Sequence, residues 1–287
     1  MSDPYFPEDK WVTANGLRMH YLDYGGDRTL KPLFLLHGIT GNAHDWDDFA
    51  PKLSETHHVI AIDERGCGDT DWSQDGYSTQ SYATDIAEFA KATGLYPFDY
   101  YGHSQGSRIG MALGAYYGDL IDHLVLGDYG PLPDPSPAGR ETAQRRQGGG
   151  PARPRGFFSP QQAFDWHKET TPDASDEKLW HTVKYSYRSN WDGILVRKND
   201  PEITWMNGRS ALKEGPFMWD SVAKISCQTL VLRGAESTVL DLDQAAKMAT
   251  TIPDGNGTCR ELSGAGHGLH NENPDGALEI LNEFFAS

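Results

Sequence analysis

The sequence predicts an α/β protein: a mostly parallel sheet flanked by helices, interrupted by one long insertion. Short, wholly apolar runs alternate with stretches of helical period, the pattern of βα units. Three of these runs end in glycine-containing turns, at 37–38, 63–68 and 102–106. After residue 130 the alternation stops, and it resumes at residue 229. A chain of 287 residues accommodates this as one core domain with an insertion.

Residues 31–37 (KPLFLLH) and 57–63 (HHVIAID) read as buried strands. Residues 81–93 place Tyr82, Ile86, Phe89 and Ala90 on one helical face. A short strand at 98–102 runs through a glycine turn into a helix at 105–117, and 122–127 is a strand again. The segment 130–156 holds six prolines and six glycines, which excludes a regular helix or an inner strand. From about 159 to 220 the pattern is helical and rich in aromatics. Strands at 229–233 and 258–262 and helices at 241–250 and 274–285 follow, the last with a proline near its start. The expected division is a core of residues 1–130 and 223–287 and an insertion of 131–222.

The formal net charge is -16. A field of that sign repels phosphate backbones and anionic lipid headgroups, so nucleic acid and membrane surfaces are not expected partners. The expected partner is a small-molecule substrate, with the protein a monomer or homodimer. No secretory leader pattern opens the sequence, and no apolar run approaches the ~18 residues of a membrane span. Cys67, Cys227 and Cys259 show neither zinc spacing nor a disulfide framework. Reduced thiols in a cytoplasmic protein, with no metal and no cofactor, are the expectation.

Gly102-His103-Ser104-Gln105-Gly106 fits G-x-S-x-G between a strand and a helix, the context that lifts a serine hydroxyl off the end of a sheet. Glycines on either side leave room where a side chain would collide with neighbouring elements. The amino terminus of the new helix favours a developing negative charge there. Residues 35–41 (LLHGITG) end another strand. The N–H of Ile39 in that loop and the N–H of Gln105 are the expected oxyanion donors. Among eleven histidines, His267 sits in a glycine-bracketed loop (SGAGHG) between the last strand and the last helix, which reaches the same sheet edge. Its neutral imidazole suits proton transfer from Ser104. His270 is its rival, while His37 and His103 read as local packing or hydrogen-bonding groups.

These segments, with Asp63-Glu64-Arg65-Gly66-Cys67-Gly68-Asp69-Thr70, resemble the α/β-hydrolase superfamily over almost the whole chain. The resemblance implies an α/β-hydrolase fold, with a mostly parallel eight-stranded sheet and a helical lid inserted after the sixth strand. It implies a structural role for Asp63 and Arg65. It also implies a Ser-His-Asp triad, in the order nucleophile, acid, histidine. The commoner acid position, three residues after Gly234, holds Ser237, which cannot stabilise an imidazolium as a carboxylate does. Some members carry the acid after the strand that follows the nucleophile helix, where this chain has Asp128. Asp128 is therefore the first choice, Glu236 the second and Asp241 the third. That arrangement resembles (acetamidomethylene)succinate hydrolase-like and esterase-like members.

The aromatics of the insertion are expected to form mainly its own small core, with Trp166, Trp191 and Trp219 taken to line the substrate pocket. Arg145 and Arg146 are the expected grip for a substrate carboxylate. The function expected is a serine hydrolase of an ester, amide or related carbonyl bond. The superfamily also hosts C–C bond hydrolases, cofactor-free oxygenases with a His-Asp pair and low-turnover ligand receptors. Members with an aspartate nucleophile are disfavoured by Ser104.

Overall fold

A computed structural model describes residues 7–74, 76–131, 154–203 and 213–287. Its main sheet has eight strands: β1 Glu8–Ala14, β2 Leu17–Asp23, β3 Pro32–Leu36, β4 His58–Ile62, β5 Phe98–His103, β6 Ile121–Gly127, β9 Gln228–Gly234 and β10 Gly257–Leu262. The order across the sheet is β1-β2-β4-β3-β5-β6-β9-β10. β1 and β2 form a hairpin, and β2 meets β4 antiparallel; every other pairing is parallel. This is the mostly parallel eight-stranded sheet flanked by helices that was expected. The hairpin is the part that the apolar runs did not mark. Asn15 and Gly16 make its turn with φ of 48° and 76°, the left-handed pair that a two-residue hairpin needs.

The helices are α1 Ala50–Leu53, α2 Thr79–Thr93, α3 Gln105–Tyr116, α4 Pro160–Thr170, α5 Asp176–Ser186, α6 Gly215–Val222, α7 Leu242–Thr251, α8 Leu269–Glu272 and α9 Pro274–Phe285. The sheet is buried on both faces, so its inner strands are apolar without alternation. One core layer joins Phe34, Ile60, Tyr100, Leu126 and Val231 to residues of α2, α3, α6 and α7. The other joins Leu33, Leu35, Tyr101, Val125 and Leu232 to Trp46 and to α9. Removing a side chain of this size from water stabilises the fold by about 1.5–3 kcal/mol.

Between β6 and β9 lies the insertion. α4 and α5 begin at Ser159 and Ser175, whose hydroxyls accept the N–H groups of Gln162 and Lys178. The two helices pack around Phe157, Ala163, Val183 and Tyr187. A small hairpin follows, β7 Tyr187–Ser189 with β8 Leu195–Arg197. Polar bonds tie these elements to the core. Asn42 Nδ2 donates to Ser186 Oγ at 3.1 Å, Arg197 Nη2 to the Thr40 carbonyl at 3.0 Å, and Lys198 Nζ pairs with Asp69 at 2.5 Å. No helix among the described residues is long and apolar enough to cross a membrane.

Candidate active site

β5 delivers the central residue. Ser104 follows its last residue and precedes α3, with φ 55° and ψ -106°, a conformation an L-residue adopts only under constraint. The flanking glycines explain how the chain turns so sharply. A Cβ on Gly102 would lie 2.3 Å from the carbonyl carbon and oxygen of Gly106, and one on Gly106 would lie 2.6 Å from the Leu36 carbonyl oxygen. Ser104 N–H donates to the Gly127 carbonyl at 2.8 Å, and Gly106 N–H to that of His37 at 3.2 Å. The turn is thereby pinned to the strands on both sides of it.

The loop after β10 brings His267 to Ser104. His267 Nε2 lies 3.1 Å from Ser104 Oγ, and Nδ1 lies 2.7 Å from Asp128 Oδ2. With Nδ1 protonated, Nε2 presents a lone pair to the hydroxyl. Asp128 is wholly buried and has φ 48°. Its carboxylate accepts two further hydrogen bonds, from Gly234 N–H at 3.0 Å and from the Ser237 hydroxyl at 2.5 Å. Three donors thus compensate a charge that burial alone would penalise. The other carboxylates considered lie elsewhere. Glu236 is exposed, and Asp241 caps α7 by accepting Gln244 N–H at 2.8 Å. His270 is buried, stacked on Trp46 with ring centroids 4.2 Å apart and 3.2 Å from the Tyr101 hydroxyl. Burial, with the charges of His103 and Lys178, holds it well below the usual histidine range.

The loop after β3 comes close to the nucleophile: a Cβ on Gly38 would lie 3.4 Å from Ser104 Cβ and 3.8 Å from its Oγ. Ile39, the next residue, is exposed, and Gln105 opens α3. Asp63 braces this region. Its carboxylate accepts the N–H groups of Ala43 at 2.6 Å and Asp69 at 2.8 Å and faces His20 Nδ1 at 2.6 Å. Arg65 forms a two-pronged ion pair with Asp85, at 2.5 and 2.7 Å.

Two further groups lie beside the site: Glu64, whose part the sequence did not reveal, and His103, which was read there as a packing or hydrogen-bonding group. Gln105 Nε2 donates to Glu64 Oε2 at 2.7 Å, while Glu64 Oε1 is buried without a hydrogen-bond partner. Burial pushes the Glu64 carboxyl up to about 7 against the pull of His37, Gln105 and Arg108. His103 Nε2 donates to the His267 carbonyl at 2.6 Å. Burial and the neighbouring His267 lower its titration to about 4, so it is neutral near pH 7.

One aromatic expectation, Trp191, needs correction. Trp191 is fully exposed beside the turn of the β7–β8 hairpin, where it lines no enclosed space. Trp166 packs within the insertion, its ring 6.0 Å from that of Phe157. Trp219 lies against the core layer that contains α3, with Lys247 Nζ 4.4 Å from its ring centroid. The aromatic count drew attention to the insertion; of the three rings only that of Trp191 faces solvent, while Trp166 and Trp219 are partly buried. Arg145 and Arg146 lie outside the described residues. A cavity of about 480 Å³ opens between the β3 loop and α5, lined by Ile39, His44, His103, Lys178 and His181 among others.

Residues 31–274 match the family described as alpha/beta hydrolase fold, and the chain belongs to that family. Among curated proteins it is similar to N-formylmaleamate deformylase of Pseudomonas putida, 38% identical over 118 residues, covering 41% of this chain and 43% of that one. It is also similar to 2-(acetamidomethylene)succinate hydrolase of Mesorhizobium japonicum, 36% identical over 101 residues, covering 35% and 36%. Each match therefore spans less than half the relative's length. The solved structure of E-2-(acetamidomethylene)succinate hydrolase superposes with a TM-score of 0.82 at 22% identity, over 98% of this chain and 100% of the other, a likeness of fold.

Proposed function

We propose that this protein is a serine hydrolase that cleaves an ester, amide or related carbonyl bond of a small molecule through an acyl-enzyme. The observation that carries the reading is the unbroken line from Ser104 Oγ to His267 Nε2, 3.1 Å, and from His267 Nδ1 to Asp128 Oδ2, 2.7 Å. His267 takes the hydroxyl proton as Ser104 Oγ bonds to the carbonyl carbon. The oxygen, now negative, is held by the N–H groups of Ile39 and Gln105 at the start of α3. His267 then gives its proton to the leaving group as the C–O or C–N bond breaks. A water enters, passes a proton to His267 and bonds to the acyl carbon. The proton returns to Ser104 as the acid leaves. Asp128 holds the imidazole in the required tautomer throughout and stabilises its cationic form.

The insertion acts as the lid of this site, and Arg145 and Arg146 bind a substrate carboxylate. The names of the two curated relatives support a small acidic substrate acylated on nitrogen.

The test pairs a fluorophosphonate probe with a short-chain nitrophenyl ester. The expected result is one label, on Ser104 by mass spectrometry, and loss of esterase turnover in Ser104→Ala. A label elsewhere, or an unchanged rate in that variant, would overturn the reading. Arg145→Ala and Arg146→Ala are expected to raise KM selectively for acidic esters, and equal effects on neutral esters would remove the carboxylate assignment.

A further inference from the structure

Two histidines and a carboxylate converge where α5 meets the turn after β3. Asp47 Oδ2 lies 2.8 Å from His181 Nε2 and 3.0 Å from His44 Nδ1. The three ligand atoms all fall within 4.8 Å of one another. We propose that His44, Asp47 and His181 form a binding site for a divalent transition-metal ion of the zinc class, which clamps the insertion to the core.

The donor set defines the class of ion. Two imidazole nitrogens and one carboxylate oxygen suit zinc, cobalt, nickel or copper, whereas calcium and magnesium prefer oxygen throughout. A tetrahedral ion with bonds of about 2.0–2.1 Å sets its ligands about 3.3 Å apart. The two carboxylate–imidazole separations, 2.8 and 3.0 Å, need to open by a few tenths of an ångström, and the two imidazole nitrogens already lie within 4.8 Å of each other. Both ring nitrogens now face the same carboxylate as hydrogen-bond donors. Moving each ring proton to its other nitrogen turns two lone pairs to the same point, without rotating either ring.

The surroundings hold this geometry. Tyr24 donates its hydroxyl to Asp47 Oδ1 at 2.5 Å, leaving Oδ2 directed at the two imidazoles. Tyr185 stacks on the His44 ring at 3.5 Å between centroids, with an interplanar angle of 19°. His181 and Tyr185 are four residues apart on α5 and so share one helix face. Partners of this kind orient metal ligands and raise affinity. The His181 side chain is 35% exposed, and it lines the cavity beside the β3 loop together with His44 and the acidic residues Asp45, Asp48 and Glu177. The fourth coordination position therefore opens to water, in a cavity whose lining carries three acidic residues and one lysine, Lys178.

Two other groupings among the described residues are poorer sites. In the buried set of His37, Glu64 and Cys67, His37 already uses both ring nitrogens, on the Gly38 carbonyl and on Glu64 N–H. Burial also raises the Cys67 thiol well above its usual range, against the thiolate a metal needs. In the set of His20, Asp63 and Asp69, the Asp63 carboxylate is committed to Ala43, Asp69 and His20.

The experiment uses the full chain, stripped with a chelator and titrated near pH 7.5. Zn²⁺ is followed by calorimetry and Co²⁺ by its visible absorption. The expected result is one ion per chain and an upward shift of Tm with Zn²⁺. His181→Ala, at a partly exposed position, is expected to weaken binding at least tenfold and to abolish the Tm shift. His44→Ala is expected to do the same, and the far-ultraviolet circular dichroism of each variant reports that it is folded. His267→Ala should bind like the parent protein, which separates this site from metal captured beside Ser104. Absence of stoichiometric binding by the parent protein, or unchanged binding by folded His181→Ala, would overturn the proposal. So would loss of binding in His267→Ala alone.

Discussion

The hydroxyl of Ser237 lies 2.5 Å from Asp128 Oδ2, on the same oxygen that faces His267. The residue that stands where a carboxylate is commoner thus supports the carboxylate supplied by the neighbouring strand. The hydroxyl also accepts Val239 N–H at 3.0 Å and Leu240 N–H at 3.3 Å, which fixes its own direction. A hydrogen bond to a charged group contributes about 1.5–3 kcal/mol. Ser237→Ala is expected to lower kcat about tenfold with little change in KM, and Ser237→Thr to restore most of it. Steady-state kinetics of both variants checks this. Asp128→Asn is expected to cost about 10⁴-fold, as loss of the orienting acid does elsewhere.

Gly102 has no room for a methyl group, since its Cβ would meet the Gly106 backbone at 2.3 Å. Backbone cannot swing aside as a flexible side chain can. Gly102→Ala is therefore expected to destabilise the protein by about 3 kcal/mol or more, the upper range for overpacking. Urea denaturation measures it. A change below 1 kcal/mol, on the order of a surface substitution, would show that the turn can relax.

Glu64 predicts an unusual dependence of stability on pH. Its folded titration lies near 7, raised from 4.5 by burial first of all. Between those values the native state holds a proton that the unfolded state has released. The contribution of this group therefore falls as pH rises from about 4.5 to 7, by about 3 kcal/mol in all. Glu64→Gln removes it, so unfolding free energies from pH 5 to 8 should fall less steeply with rising pH than in the parent protein. An identical profile would show that this carboxyl ionises freely inside the fold.

His103 works in the opposite direction. Its folded titration near 4 lies below the ordinary 6.5, through burial and the charge of His267. Between pH 4 and 6.5 the unfolded state binds the extra proton, so stability falls as pH drops through that window. His103→Gln, which retains a donor for the His267 carbonyl, is expected to lose less stability between pH 6.5 and 4.5 than the parent. Denaturant melts at those two values distinguish the outcomes.

The positions of the inner strands along the chain, the glycine turn around Ser104 and the loop of His267 were legible because each is a local pattern. Apolar runs mark buried strands, and G-x-S-x-G between a strand and a helix has few structural uses. The choice of Asp128 over Glu236 rested on the family resemblance, and its partners could not be seen. Ser237 and Gly234 meet Asp128 only because β6 and β9 lie side by side, with Gly127 opposite Leu232. The first hairpin carried a usable sign, Asn15-Gly16 between mixed strands, yet its exposed strand β1 lacks a long apolar run. The three tryptophans illustrate the opposite limit. Composition says that aromatic rings are buried or bind something, and only placement shows that Trp191 is fully exposed.

β9 runs two residues past the partner of Gly127, and the turn beyond it lays Ser237 against the Asp128 oxygen that faces His267. A Ser237→Asp exchange would set a second carboxylate beside that of Asp128. The crowded pair would bring two negative charges together, and one would have to hold a proton. What the imidazole meets is set by where the carboxyl group sits in space, here against Gly234 and Ser237, and not by its order along the polypeptide.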